Sequence, residues 1–196
     1  MNSKEYLMLR EEILHLDQLI VNTINFFYAF LASFMAFSLT HNDTIYLLLA
    51  YIVILPAYLM VISKMNAMCK IGGYLKVFHE AKEDSEFKWE TNNIKFLEQT
   101  AAERPRFTKM IMSFMYTFHY PFAVTNFATF ILFIFRSNWE CLTIYEILKI
   151  FICIALCIFT FLLIHENRKI GTEHYIKEWD NFKALNKDKS DNPRTS

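Results

Sequence analysis

Four long stretches of this chain carry almost no charge, and they limit what it can fold into more than any other feature. They cover residues 19–39, 45–63, 110–135 and 147–164, and the single charged residue among them is Lys149. A helix that crosses the ~30 Å hydrocarbon layer of a bilayer needs roughly 20 apolar residues, and each stretch is about that long. We therefore predict an all-α integral membrane protein with four transmembrane helices.

Lysine and arginine are distributed unevenly among the segments that flank these stretches. Of the 20 such residues, all except Arg136 and Lys149 lie in residues 1–18, 64–109 and 165–196. Cytoplasmic segments of membrane proteins carry an excess of these residues, so the sequence predicts that both termini and residues 64–109 face the cytoplasm. The formal net charge is zero, which gives no electrostatic reason to expect nucleic-acid binding.

The residues ahead of the first stretch have the pattern of an amphipathic helix. Apolar side chains recur there at spacings of three and four, namely Tyr6, Leu9, Ile13, Leu16 and Ile20. This heptad-like pattern places them on one face of a helix. We predict a cytoplasmic helix over residues 1–18 whose apolar face packs either on the protein's own cytoplasmic segment or on another subunit.

Residues 64–109, between the second and third stretches, predict a small helical segment. The second helix should continue to residue 71 and break at Gly72-Gly73, since adjacent glycines let a chain turn. After a short amphipathic element and a charged loop, a further helix should begin at Trp89 and Glu90, because a carboxylate suits a helix N-terminus. A segment of this size has no core of its own, so we expect it to pack on the tails or on other subunits.

Polar residues inside the apolar stretches are the first candidates for a functional role, and four of them stand out: Asn22, Asn25, His119 and Asn126. Polar side chains are costly in a bilayer, so they pair with one another or line a water-filled path. His119 and Asn126 are seven residues apart and share a helical face. They either form interhelical hydrogen bonds or line a gated path in an oligomer.

The charged segment around His79 and Glu80 does not match a known catalytic or metal-binding pattern. The sequence HEAKED lacks the second histidine of the H-E-x-x-H zinc motif, and no Cys or His cluster completes it. We therefore predict a solvent-exposed charged turn, with no catalytic residue, metal or cofactor, and no enzyme activity. Cys153 and Cys157 lie four apart in the last stretch and are expected to be buried thiols.

Four apolar stretches, cytoplasmic termini, a small charged middle segment and no catalytic motif together resemble a known architecture. It is that of the small four-helix membrane proteins of bacterial antiphage defence, most of all the Kiwa membrane component KwaA, and the resemblance covers nearly the whole chain. It implies an oligomeric sensor or anchor in the bacterial inner (plasma) membrane that recruits or regulates a cytoplasmic effector. The alternative is a pore-forming effector that depolarises the membrane on activation.

The expected partners are the lipid bilayer, other copies of the chain and a cytoplasmic effector protein. The residues that we expect at a partner interface are Tyr6, Leu9, Ile13, Leu16, Trp89 and Glu90.

Overall fold

The computed structural model describes residues 3–41, 43–81, 88–102, 119–137, 139, 143–167 and 170–191. The described residues form six α-helices and one π-helical segment, and none of them lies in a strand. In chain order these elements are α1 (Ser3–His41), α2 (Ile45–Tyr74), the π-helical segment (Leu75–Glu80), α3 (Trp89–Ala102), α4 (His119–Arg136), α5 (Ile144–Asn167) and α6 (Thr172–Asp191). The all-helical fold class is confirmed for this part of the chain.

Three helical segments are long and apolar enough to cross a membrane, which confirms three of the predicted long apolar helices. They are Lys4–His41, Ile45–Glu80 and Ile144–Asn167. Of the remaining predicted stretch, residues 110–118 lie outside the described residues, and the rest forms α4, which has 18 residues. The fourth transmembrane helix therefore stays a prediction.

The chain divides into two compact units. One, which we call the apolar unit, comprises Leu19–Ser63 and Met110–Lys169. The other, the polar unit, comprises Met1–Gln18, Lys64–Lys109 and Ile170–Ser196. The divisions after residues 18, 63 and 109 coincide with the limits of the apolar stretches, because the change from apolar to charged sequence occurs there.

Each helix of the apolar unit buries one stripe of side chains and exposes apolar side chains on its other faces. The buried stripes include Phe27 and Leu31 of α1, Ile54, Tyr58 and Val61 of α2, Phe122, Asn126 and Phe133 of α4, and Cys153, Cys157 and Ile164 of α5. The exposed faces carry large apolar residues such as Phe151 and Leu162. Helices that are apolar on all sides are typical of membrane spans, because lipid rather than water surrounds them.

Arg136 and Lys149 are the two basic residues outside residues 1–18, 64–109 and 165–196, and both are bonded within the apolar unit. Nη2 of Arg136 donates to the carbonyl oxygens of Ser38 and Leu39 at 3.0 and 3.2 Å, in the last turn of α1. The last carbonyls of a helix have no helical partner, so Arg136 caps α1. Lys149 is buried, and its Nζ lies 2.7 Å from a carboxylate oxygen of Glu146. These contacts give both residues a structural role.

Helix α2 continues without interruption through Gly72 and Gly73 to Tyr74, so the predicted break at the two glycines is wrong. Gly73 is instead the point where α6 approaches α2 within the polar unit. A Cβ atom added to Gly73 would lie 3.0 Å from Cβ of Tyr175 and 3.1 Å from the backbone nitrogen of Ile176. The missing side chain therefore allows two helices to pack closely.

Candidate functional site

The π-helical segment of the polar unit places two ionisable side chains in the interior. His79 is 4% exposed and Glu80 is 5% exposed, so the prediction of a solvent-exposed charged turn is wrong for both. The other acidic residues of that predicted turn, at positions 83, 84 and 86, lie outside the described residues. Buried carboxylates need hydrogen-bond donors, and here the donors come from distant parts of the sequence.

Glu80 joins the beginning of α1 to the beginning of α3. The Tyr6 hydroxyl donates to Oε1 of Glu80 at 3.1 Å, and the backbone N–H of Thr91 donates to Oε2 at 2.7 Å. Thr91 lies in the first turn of α3, where N–H groups have no helical acceptor. Glu80 therefore caps α3, and its negative charge also stabilises the positive end of the helix dipole.

His79 and Tyr74 both contact Glu5 near the start of α1. Nε2 of His79 lies 3.8 Å from Oε2 of Glu5, and the Tyr74 hydroxyl donates to Oε1 at 3.1 Å. Among the described residues, no group of three His, Cys, Asp or Glu side chains is placed to hold a metal ion. In this arrangement, carboxylates accept hydrogen bonds from two phenols and a backbone amide, and these bonds hold the helices of the polar unit together.

Helix α6 is held on the polar unit by side chains that bond to backbone carbonyls. Nε1 of Trp179 donates to the carbonyl of Lys70 at 3.0 Å, and Nζ of Lys183 donates to the carbonyl of Val77 at 3.1 Å. The Trp179 ring also meets the rings of Tyr74 and Phe78 at centroid distances of 5.3 and 5.9 Å.

Helix α6 is not predicted from the sequence, which indicates only a cytoplasmic tail over residues 165–196. The signal for it is the recurrence of aromatic residues at spacings of four and three, namely Tyr175, Trp179 and Phe182. That spacing puts the three rings on one face of a helix. Burial raises the pKa of Tyr175, and the nearby carboxylate of Glu178 raises it further.

A groove of about 410 Å³ lies between the helices of the polar unit. It is lined by Arg10, Ile13, Leu14 and Asp17 of α1, by Met68, Cys69 and Gly72 of α2, by Trp89 of α3 and by Thr172 of α6. The Arg10 guanidinium lies 4.7 Å from the centre of the Trp89 ring, a cation–π distance. Leu14 and Trp89 are both more than half exposed, so the apolar wall of the groove is open.

The residues predicted at a partner interface occupy different positions in the polar unit. Tyr6 is buried against Glu80 of its own chain, so the structure leaves it no surface for a partner. Leu9, Ile13 and Leu16 are partly exposed, and Ile13 lines the groove. Trp89 is exposed at the start of α3, while the side chain of Glu90 lies outside the described residues.

Two of the four polar residues predicted within the membrane face the interior of the apolar unit, and both make interhelical hydrogen bonds. Nδ1 of His119 lies 3.0 Å from the hydroxyl of Tyr58 in α2. Nδ2 of Asn126 donates to the carbonyl of Cys157 in α5 at 3.2 Å. Oδ1 of Asn126 is buried and has no hydrogen-bond partner in the described part of the chain.

Asn22 and Asn25 are exposed on α1, so the structure does not bring them together with His119 and Asn126. The four residues therefore do not form one polar path within a single copy of the apolar unit.

Comparison of the chain with protein-family models, with curated proteins and with solved structures finds no match.

Proposed function

We propose that this chain is a membrane-anchored binding protein whose polar unit recruits or regulates a cytoplasmic effector protein. The observation that carries this proposal is a set of exposed apolar residues on three helices of the polar unit. Those that are more than half exposed are Leu7, Met8 and Leu14 in α1, Trp89 and Phe96 in α3, and Phe182 and Leu185 in α6. Residues three or seven apart share a helical face, so each helix presents an apolar stripe. Such surfaces are typical of protein interaction sites.

The contacts inside the polar unit support the same function, because they fix the helices that carry the stripes. Glu80 bonds to residues of α1 and α3, and Trp179 and Lys183 fix α6 to the end of α2 and to the π-helical segment. A surface that is already ordered loses less conformational entropy when a partner binds. The ordered helices of the polar unit are thus suited to binding a partner.

The architectural resemblance to membrane proteins of bacterial antiphage defence supports a role as an inner-membrane sensor or anchor that responds to infection. An exposed face of α1 supports a homo-oligomer. That face combines two amides with small residues: Asn22, Asn25, Ala29, Ala32, Ser33 and Ala36. In a membrane, small side chains allow close helix packing, and amides hydrogen-bond across helices.

Co-purification with the product of the neighbouring gene tests the effector proposal. We expect the two proteins to leave a detergent extract together, and we expect Phe96→Ser or Leu185→Ser to reduce recovery of the effector about tenfold, since each removes an exposed apolar contact. Glu11→Gln is the matched control, because Glu11 is exposed on the polar unit and is not part of an apolar stripe. Recovery of the chain alone, with defence unaffected by deletion of the neighbour, would contradict the proposal.

One observation favours the alternative function, a pore that depolarises the membrane. Oδ1 of Asn126 and Oγ1 of Thr129 are three residues apart on α4, buried, and without a hydrogen-bond partner among the described residues. Buried polar atoms of this kind are commonly satisfied by water, which would hydrate the interior of the apolar unit. Overexpression with a membrane-potential dye tests this function. Depolarisation that Asn126→Leu abolishes would support a pore, and an unchanged potential even in infected cells would exclude it.

A further inference from the structure

Helix α5 places two thiols side by side in the interior of the apolar unit. Cys153 and Cys157 are four residues apart on one helical face, and both are buried free thiols. Side chains at this spacing have Cβ atoms about 5–6 Å apart. The two thiols are thus close enough for one small ligand to contact both sulfur atoms.

Side chains from α2 and α4 converge on the same two thiols. The hydroxyl of Tyr51 in α2 lies close enough to both sulfur atoms to interact with them electrostatically, and the side-chain amide of Asn126 in α4 interacts with the thiol of Cys157. Nδ2 of Asn126 also donates to the Cys157 carbonyl at 3.2 Å, which holds α4 against this part of α5. Three helices therefore surround the pair of thiols.

The Tyr51 hydroxyl indicates a ligand at this position. Tyr51 is 1% exposed, and no atom of the described residues forms a hydrogen bond with its hydroxyl. A buried hydroxyl without a partner is costly, and phenylalanine would fill the same space without that cost. A thiolate is a stronger acceptor than a neutral thiol, so a metal ion that displaced the thiol protons would give the hydroxyl its missing partner.

The two thiols also select the kind of metal ion. Thiolates are soft ligands, which favour copper(I), zinc and iron–sulfur clusters over magnesium or calcium. Structural zinc sites and iron–sulfur clusters need about four protein ligands, whereas within the described part of the chain no third Cys, His, Asp or Glu completes a metal-binding group. Copper(I) is satisfied by two thiolates in line. A zinc–thiolate bond is roughly 2.3 Å long, so two bonds of similar length span roughly 4.6 Å, which thiols on adjacent helical turns can reach.

We propose that Cys153 and Cys157 bind one copper(I) ion as a two-coordinate bis-thiolate site within the apolar unit. Each thiol releases its proton when the metal–sulfur bond forms, so the bound ion and its two thiolates carry a single negative charge in total. The Tyr51 hydroxyl donates a hydrogen bond to a thiolate, and the Asn126 amide orients Cys157. Such donors around metal ligands stabilise the complex. The site requires neither the effector nor an oligomer, so it is independent of the proposed function.

Competition with bicinchoninate, a chromogenic copper(I) chelator, measures the affinity of this site. The full chain carrying Cys69→Ser and Cys141→Ser is purified in detergent and titrated with copper(I) in the presence of ascorbate. We expect one copper(I) ion per chain to be retained against the chelator. X-ray absorption spectroscopy should show two sulfur neighbours and no nitrogen or oxygen neighbour. Cys153→Ser and Cys157→Ser should each abolish retention.

Tyr51→Phe distinguishes a built site from two thiols that capture copper adventitiously. Loss of a hydrogen bond to a metal ligand typically weakens metal affinity by 10–100-fold, so we expect the copper(I) dissociation constant to rise by about tenfold or more. Tyr145→Phe is the matched control, because the Tyr145 side chain is 55% exposed on the same helix as the two cysteines. That variant should retain the affinity of the parent chain.

Absence of retained copper(I) would overturn the proposal. Equal affinities of the Tyr51→Phe and Tyr145→Phe variants would also overturn it, because they would show adventitious capture by two thiols. Retention that Cys153→Ser leaves unchanged would place the ion elsewhere on the chain, with the same consequence. If a variant fails to fold, the spectrum of the chain that keeps Cys153, Cys157 and Tyr51 remains decisive, since a nitrogen or oxygen neighbour of the copper would exclude the bis-thiolate site.

Discussion

At the scale of single residues, Gly73 shows how the absence of a side chain determines where a helix can pack. Its Cα faces Tyr175 and Ile176 of α6 so closely that a Cβ would meet a backbone nitrogen at 3.1 Å. Backbone atoms cannot turn away as a flexible side chain can. The close packing of α6 on α2 therefore depends on this one position.

Gly73→Ala should destabilise the polar unit by up to a net ~2 kcal/mol, since overpacking costs about 1–3 kcal/mol and alanine recovers up to ~1 kcal/mol in helix propensity. The free energy of unfolding can be followed by alkylation of Cys69 against urea concentration. Gly171→Ala is the matched control, because a Cβ there meets nothing within 4 Å. Equal stability of the two variants would show that α6 does not press on Gly73.

Tyr6→Phe tests the bond between α1 and the buried carboxylate of Glu80. The substitution keeps the ring and removes the hydroxyl that donates to Oε1. Because the acceptor is buried and ionisable, we expect a loss of about 1–3 kcal/mol in the free energy of unfolding. Tyr28→Phe, at a partly exposed position of α1, should change stability by less than about 0.5 kcal/mol. If the Tyr6→Phe variant were as stable as the Tyr28→Phe variant, the hydrogen bond to Glu80 would not stabilise the position of α1.

The interior positions of His79 and Glu80 could not be predicted from the local sequence. Charged neighbours surround them, and such a pattern usually indicates a solvated surface. Their burial depends on donors and partners at positions 5 and 6, more than 70 residues away, and no periodicity connects such distant residues.

The interhelical bonds of His119 and Asn126 were one of two predicted alternatives, because a polar side chain in an apolar helix needs a partner.

At the scale of elements, the long helices were predictable and the docked helix was not. An uncharged run of about 20 residues has few other stable structures, so three of the four stretches are found within long apolar helices. The end of α2 was predicted wrongly, because glycine in a helix can serve close packing as well as a turn. Helix α6 was missed because its mean composition is polar and only one narrow face carries its aromatic residues.

The docking of α6 should depend on Trp179 more than on the apolar residues that it exposes. Trp179→Ala removes a hydrogen bond to Lys70 and ring contacts with Tyr74 and Phe78. We expect trypsin to cleave after Lys177 and Lys183 about tenfold faster in this variant, because local opening of α6 exposes both sites. Leu185→Ala serves as the control, since its side chain is 62% exposed. Equal cleavage rates in the two variants would show that α6 is not held by its tryptophan.

At the scale of the whole molecule, the two units differ in the solvent that their surfaces require. The helices of the apolar unit expose large apolar side chains between their buried stripes, which suits lipid. The polar unit contains 16 of the 20 lysine and arginine residues, and such an excess predicts a location on the cytoplasmic side. The proposed effector site lies in the polar unit, so the proposal requires this unit to be cytoplasmic.

Labelling of single cysteines in intact cells tests whether the polar unit faces the cytoplasm. In a chain whose native cysteines are replaced, Glu11→Cys and Glu173→Cys report the polar unit, and Thr40→Cys reports the end of α1. All three positions are exposed. We predict that a membrane-impermeant maleimide labels only the Thr40→Cys variant in intact cells, and that it labels the other two after the membrane is permeabilised. Labelling of Glu11→Cys or Glu173→Cys in intact cells would contradict the account, because the polar unit would then face away from the cytoplasm.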